Sequence, residues 1–348
     1  MKKKTKKKIK FFIVLLLIIL TATGGYFILN KEVDKPSGEN EIKKEIKEEK
    51  VTPVTIVDTK SKSRPYAVMI NNISTARPYH SGLQDAYITY EIIVEGGITR
   101  YLALFKDQVT EKIGSVRSAR HYYIDYALEN DAYLVHWGGS PYALDDIKKF
   151  DIDNINGTYY EGRYFYREKL PISSEHTGFT KMSMLNSAVT NINYREDTNQ
   201  NLLLNYSGDK VKYENVTSAR NVSINYSYLV ESNFTYDEEN QYYLMSVNDK
   251  AHTDHVTKEQ YHYKNIITYQ IENYTMPGEE AKGRQTIENI GSGTGYYISN
   301  GEAIKINWKK TSRESQTEYT YLDGKELIVN DGNTYIGIQP IDEELIIE

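Results

Sequence analysis

The apolar positions of this chain fall into three regimes. Residues 11–29, FFIVLLLIILTATGGYFIL, carry no charge and are about long enough to cross a bilayer as a helix. Residues 31–62 are charged, poor in aromatics and broken by proline, which predicts a disordered tether. From Arg64 onward the pattern is that of a folded body.

The body changes character along its length. RPYAVMINN (64–72) and AYLVHW (132–137) read as buried strands, and SGLQDA (81–86) as a turn or short helix. SVRSARHYYIDYALEND (115–131), SPYALDDIKKF (140–150) and FTKMSMLNSAVTNI (179–192) have apolar residues at helical spacing. Ser140 and Pro141 supply an N-cap and a first helical residue. After about residue 200, short alternating runs such as NFTYDEENQYYLMSV and TEYTYLDGKELIV are separated by turn pairs such as Asn300-Gly301 and Asp323-Gly324. That is the signature of antiparallel strands. The expected fold is α+β: a mixed α/β domain over 63–200 and a mostly antiparallel β domain over 215–342, preceded by one N-terminal transmembrane helix over residues 1–30.

The chain has 348 residues, 32 of them tyrosine and none cysteine. The tyrosines agree with abundant strand. The missing cysteines exclude disulfides, thiolate metal sites and cysteine nucleophiles. MKKKTKKKIK places seven lysines ahead of the apolar run, which holds the N-terminus in the cytoplasm and sends the body outward. A cleaved signal peptide is the alternative. Removing those seven charges from the total of −6 leaves −13 for residues 11–348. Nucleic acid is therefore an unsuitable partner.

The stretch YEIIVEGGITRYLALF (90–105) sets two glutamates and an arginine in an apolar segment. A two-residue Gly96-Gly97 hairpin loop would put Glu91, Glu95 and Arg100 on one face. Glu91 and Glu95 would then stand roughly 13 Å apart, too far for a usual pair of glycosidase carboxylates. In IGSVRSAR, Arg117 and Arg120 sit three apart at a predicted helix start. There they need acids or a bound anion as compensation. The five residues are expected to form one charge cluster, either an internal ion network or an anion site. His136 closes a strand before two glycines, and His176 lies in a loop. His252, Asp254 and His255 have a weak metal-ligand spacing, but no metal or other cofactor is expected. GSGTG (291–295) reads as a hairpin turn or bulge.

RPYAVMINN, ARPYHSGLQDAYITYEIIVEGGITRYLALF, EKIGSVRSAR and HWGGSP, with SVNDKAHTDH, GSGTGYY and INWKKTSR further on, resemble the YerB-like lipoproteins of Gram-positive bacteria, domain-of-unknown-function family 3048. The resemblance covers about residues 60–340. It implies an envelope protein with N- and C-terminal domains and no established reaction. The chain lacks the lipobox cysteine of lipoprotein members, so a helix must replace the lipid. Asn71-Asn72 also stands where an acidic residue before Asn is expected. Two functions follow. One is a membrane-anchored binder of a cell-wall glycan or envelope protein through Glu91, Arg100, Arg117, Arg120 and His176. The other is a peptidoglycan- or glycan-cleaving enzyme with Glu95 as acid/base, the arginines as anion stabilisers and His136 as orienter.

Overall fold

Strands that are covered on both faces are apolar throughout, and strands covered on one face alternate. Both kinds occur in the computed structural model, which describes residues 52–348. The expected anchor at 11–29 and the tether up to residue 51 lie outside the described residues. Among the described residues no helix is long and apolar enough to cross a membrane.

In chain order the principal elements are β1 (Tyr66–Asn71), β2 (Ile88–Ile93), β3 (Thr99–Phe105), α1 (His121–Leu128), β4 (Tyr133–His136), α2 (Pro141–Lys149), β5 (Asn154–Asn156) and α3 (Met182–Ile192). Then come β6 (Asn221–Ser227), β7 (Val230–Asp237), β8 (Tyr242–Val247), β9 (Asn265–Ile271), β10 (Gly291–Ser299), β11 (Glu302–Lys310), β12 (Thr334–Pro340) and β13 (Leu345–Ile347). The fold is α+β.

An eleven-stranded central sheet runs β11-β10-β9-β12-β2-β3-β1-β4-β5, with the short strands Thr217–Ser218 and Glu318–Tyr321 both paired to β11. β2 and β12 pair in parallel, Tyr90 opposite Ile336 and Glu91 opposite Gly337. Every residue of β1, β2, β3 and β12 is buried. A second sheet contains β8, β7, β6 and β13 in that order. Its strands β6 and β8 alternate buried and half-buried positions, as in a sheet with one wet face.

Two apolar cores result. α1 and α2 cover one face of the central sheet, with Tyr122, Tyr126 and Ile147 meeting Leu102, Ile267 and Ile338. The second sheet and α3 belong to the other core, where Phe234 and Leu185 share a cluster with Val68, Ile266 and Tyr335. Each core draws on both halves of the chain. The described residues belong to one compact unit.

Three local expectations are corrected. The body begins no later than Thr55: Thr55 and Ile56 donate backbone N–H groups to the Asp331 carboxylate at 2.8 and 3.0 Å, and Val57 is buried. The GSGTG stretch is not a turn but the start of β10. Its glycines give room to neighbours, since a Cβ at Gly293 would meet the Trp308 indole at 2.9 Å and one at Gly295 the Thr268 carbonyl at 2.5 Å. The helix expected from Ser115 begins only at His121.

A buried ion pair ties α1 to the C-terminal half. Glu129, just after α1, accepts from Lys310 Nζ at 2.8 Å, Tyr90 OH at 2.7 Å and Thr317 Oγ1 at 2.6 Å. Both charged side chains are within 1% of complete burial. Lys310→Met strands the carboxylate and should cost about 3–5 kcal/mol, while Lys310→Met with Glu129→Leu should recover most of it. Chemical denaturation of the full chain checks this. An unchanged midpoint for the single variant would show that the pair does not hold the halves together.

Candidate functional site

The β2–β3 loop has three residues, not two. Val94 N–H donates to Ile98 O at 2.7 Å, and Gly96 and Gly97 both take positive φ (70° and 73°). The pairing is Ile93 with Thr99, Ile92 with Arg100 and Glu91 with Tyr101. One extra loop residue flips strand parity, so Arg100 lies on the opposite face from Glu91. The expected five-residue cluster does not form.

Glu91 belongs instead to a closed polar knot under the second sheet. One carboxylate oxygen accepts from Asn72 Nδ2 at 3.0 Å and Thr99 Oγ1 at 2.5 Å, the other from Ser232 Oγ at 2.8 Å and Tyr335 OH at 2.6 Å. It is fully buried. Burial pushes its pKa up, against the pull of these donors.

On the other face, the remaining charges meet where residues 115–120 run extended. Arg117 N–H donates to Met69 O at 2.8 Å, Trp137 N–H to Arg117 O at 3.0 Å and Ala119 N–H to Gly138 O at 3.0 Å. The segment is thus stitched between the end of β1 and the glycines after β4. Arg120 occupies the N-cap of α1, whose first turn holds no acid. Its guanidinium donates to Glu95 at 2.6 Å and to Ala119 O at 2.8 Å. Arg117 grips Glu175 through backbone oxygen and carboxylate, both at 2.9 Å. Arg100 donates to Ser118 O while its Nε is buried without a partner.

Three guanidiniums against two carboxylates leave one positive charge beside the N-terminus of α1. Burial, then the repulsion of Arg120 and, more weakly, Arg117, pushes Arg100 down to about 9. Burial pushes Glu95 up, but the Arg120 hydrogen bond and the charges of Arg120 and Arg100 more than offset this and leave its pKa lowered.

Two family models cover most of this body: the N-terminal domain of the protein of unknown function DUF3048 over residues 51–195, and its C-terminal domain over residues 222–336. The chain belongs to the DUF3048 family. It is similar to YerB of Bacillus subtilis (strain 168), named a candidate lipoprotein, with 31% identity over 296 residues, 83% of this chain and 86% of the relative. It is also similar to the crystal structure of YerB from Bacillus subtilis, with a TM-score of 0.71 and 29% identity over 82% of this chain and 94% of that chain. The INWKKTSR stretch of this DUF3048 chain carries Lys310 of the buried pair and Arg313. Arg313 donates to Asp125 of α1 at 2.7 Å and to Asp146 of α2 at 2.8 Å.

The other candidate residues have defined places. His176 is buried beside the arginine segment, its Nδ1 2.8 Å from Asn71 Nδ2. Burial, then Arg117, lowers its pKa. His136 does not reach Glu95 or any arginine; its ring nitrogens meet Gly138 O at 2.7 Å and Asn154 Oδ1 at 3.2 Å inside the fold. Its expected role as orienter therefore fails. Asn71, Ser118 and Glu175 complete the site; the first two lie in the RPYAVMINN and EKIGSVRSAR stretches, and Glu175 is next to His176 in SSEHT.

Among the described residues no three His, Asp or Glu side chains gather as a metal set. The AHTDH histidines serve as brackets. His252 Nε2 shares a 2.9 Å hydrogen bond with His80 Nδ1, and His255 Nδ1 approaches Pro78 O at 3.1 Å. Asp254 accepts from Gly82 N–H at 2.7 Å and Tyr261 OH at 2.9 Å. Both paired histidines are fully buried; burial, then Arg77, pushes His80 down to about 3, and burial with His80 pushes His252 well below its ordinary value.

A group with a depressed folded pKa contributes stability above its unfolded pKa, and that contribution is lost as pH falls. The window here runs from about 6.5 down toward 3. The melting temperature should fall between pH 7 and pH 4. His80→Asn with His252→Gln, which preserves the hydrogen-bonding positions, should flatten that fall. Thermal melts across the range check it; identical slopes for both proteins would remove the histidine pair as the cause.

Proposed function

We propose that this chain is a membrane-anchored, extracytoplasmic envelope protein that binds an anionic group of a wall polymer or envelope partner at Arg100, Arg117 and Arg120. The lysine-flanked apolar segment at the N-terminus and the lipoprotein name of YerB support the placement. The observation that carries the binding role is the excess cation beside the start of α1, where the first helical turn holds no acid. A carboxylate or phosphate there pairs with the partly exposed Arg117 and Arg120, relieves guanidinium repulsion and complements the helix dipole.

The same pairing argues for binding over glycan cleavage. A general acid needs a raised pKa, and Glu95 is lowered by its ion pair with Arg120. Glu91, the other carboxylate of the hairpin, is sealed in the polar knot.

The full chain in detergent should co-sediment with purified wall fragments. Arg117→Ala should reduce retention about tenfold, the value of one lost charge-assisted contact of about 1.4 kcal/mol. Retention should also weaken as salt rises. Arg117 is only partly buried, so its variant should melt near the parent. Equal retention of Arg117→Ala and Arg120→Ala with the parent would sink the proposal, and release of new glycan ends by the parent would favour the cleaving enzyme.

A further inference from the structure

The second sheet ends in an open edge. β13 pairs antiparallel with β6 through Ile346 opposite Ser223, and the flanking Glu348 and Asn221 exchange both backbone hydrogen bonds at 2.9 Å. In an antiparallel ladder, hydrogen-bonded pairs alternate with pairs whose N–H and C=O groups point outward. Leu345 and Ile347 are the outward-pointing residues, and no further strand lies beyond β13 among the described residues.

This edge borders a cleft of about 1260 Å³, lined by Leu345 and Ile347, by Tyr296 and Lys305 of the central sheet, and by Tyr213 and Leu322. Leu345, Ile347 and Tyr296 pack against the core beneath. Lys305 makes no ion pair among the described residues, and Leu322 is 60% exposed. None of these residues belongs to the arginine cluster. The volume exceeds that of an ordinary small-ligand pocket.

We infer that this cleft takes an extended segment of a partner protein as an added strand on β13. Such a segment repeats donors and acceptors at the spacing that Leu345 and Ile347 present, which a glycan does not. Its alternate side chains reach the apolar floor, so the segment has apolar residues at every second position. An acidic residue on its floor-facing side meets Lys305, the cross-strand neighbour of Tyr296.

The test uses the full chain in detergent, immobilised and panned with phage-displayed random 12-residue peptides. Enriched peptides should alternate apolar and polar residues. Ile347→Pro removes one outward N–H while sparing the bonds to β6, so it should weaken those peptides at least tenfold with little change in melting temperature. Tyr296→Ala, which leaves β13 untouched, should also weaken them. Failure to enrich, or equal binding to both variants, overturns the inference. So does saturable binding of an N-acetylglucosamine tetramer that Tyr296→Ala abolishes, since that makes the cleft a glycan site.

Discussion

The parallel pairing of β2 with β12 is the constraint on which the rest of the structure depends. It joins a strand near the start of the body to one near its end, so neither half completes its sheet alone. Such a seam costs loop-closure entropy before it gains contacts. Its position is fixed chemically by Glu91. That carboxylate sits on β2 and collects hydroxyl or amide donors from β3, β7, β12 and the residue after β1. A slip of one residue would turn it into the helix-covered core and leave four donors unmatched. Buried charge is a poor source of net stability but a sharp selector of register. The knot is best understood in that role.

Once the seam is set, cations of the C-terminal half close over acids of the N-terminal half. Lys310 reaches Glu129 behind α1, and Arg313 bridges Asp125 and Asp146 on α1 and α2. These contacts hold α1 at both its middle and its end. The start of α1 is left to Glu95 and Arg120, from the β2–β3 loop and the N-cap. The candidate anion site is thus the end of a helix whose position is determined elsewhere. A rigid backing of this kind lets a charged loop segment keep one geometry without an internal partner for every donor.

Much of the fold was legible in the sequence, and the failures have physical causes. Strand and helix types followed from periodicity, including Ser140 as the N-cap of α2, where it accepts from Ala143 N–H at 3.2 Å. The β2–β12 seam was not legible, because parallel pairing between distant segments leaves no local signal. The hairpin failed by one residue: Gly96-Gly97 satisfies a two-residue turn, yet Glu95 also joins the loop so that its carboxylate can meet Arg120. Arg117 was misplaced because apolar spacing near Val116 and Ala119 resembles a helix turn, whereas those residues are extended and held by Gly178 O and Gly138 O. The arginines themselves were legible as a cluster needing compensation, and Glu95 and Glu175 supply only part of it.

The sign of the whole molecule bears on what the arginine cluster can do. Residues after the lysine-rich start sum to −13, so an anionic polymer is repelled at long range. Screening reduces that repulsion beyond about 8 Å at physiological ionic strength. Attraction then acts only at contact, where guanidinium geometry and the helix terminus take over. Such a site gains little from electrostatic steering and discriminates instead through fit. A planar, bidentate acceptor such as a carboxylate or phosphate can engage Arg117 and Arg120 together, whereas diffuse negative charge cannot. On the proposed reading, an acidic body carrying this small cationic site selects a particular anionic group and does not adhere to a charged surface.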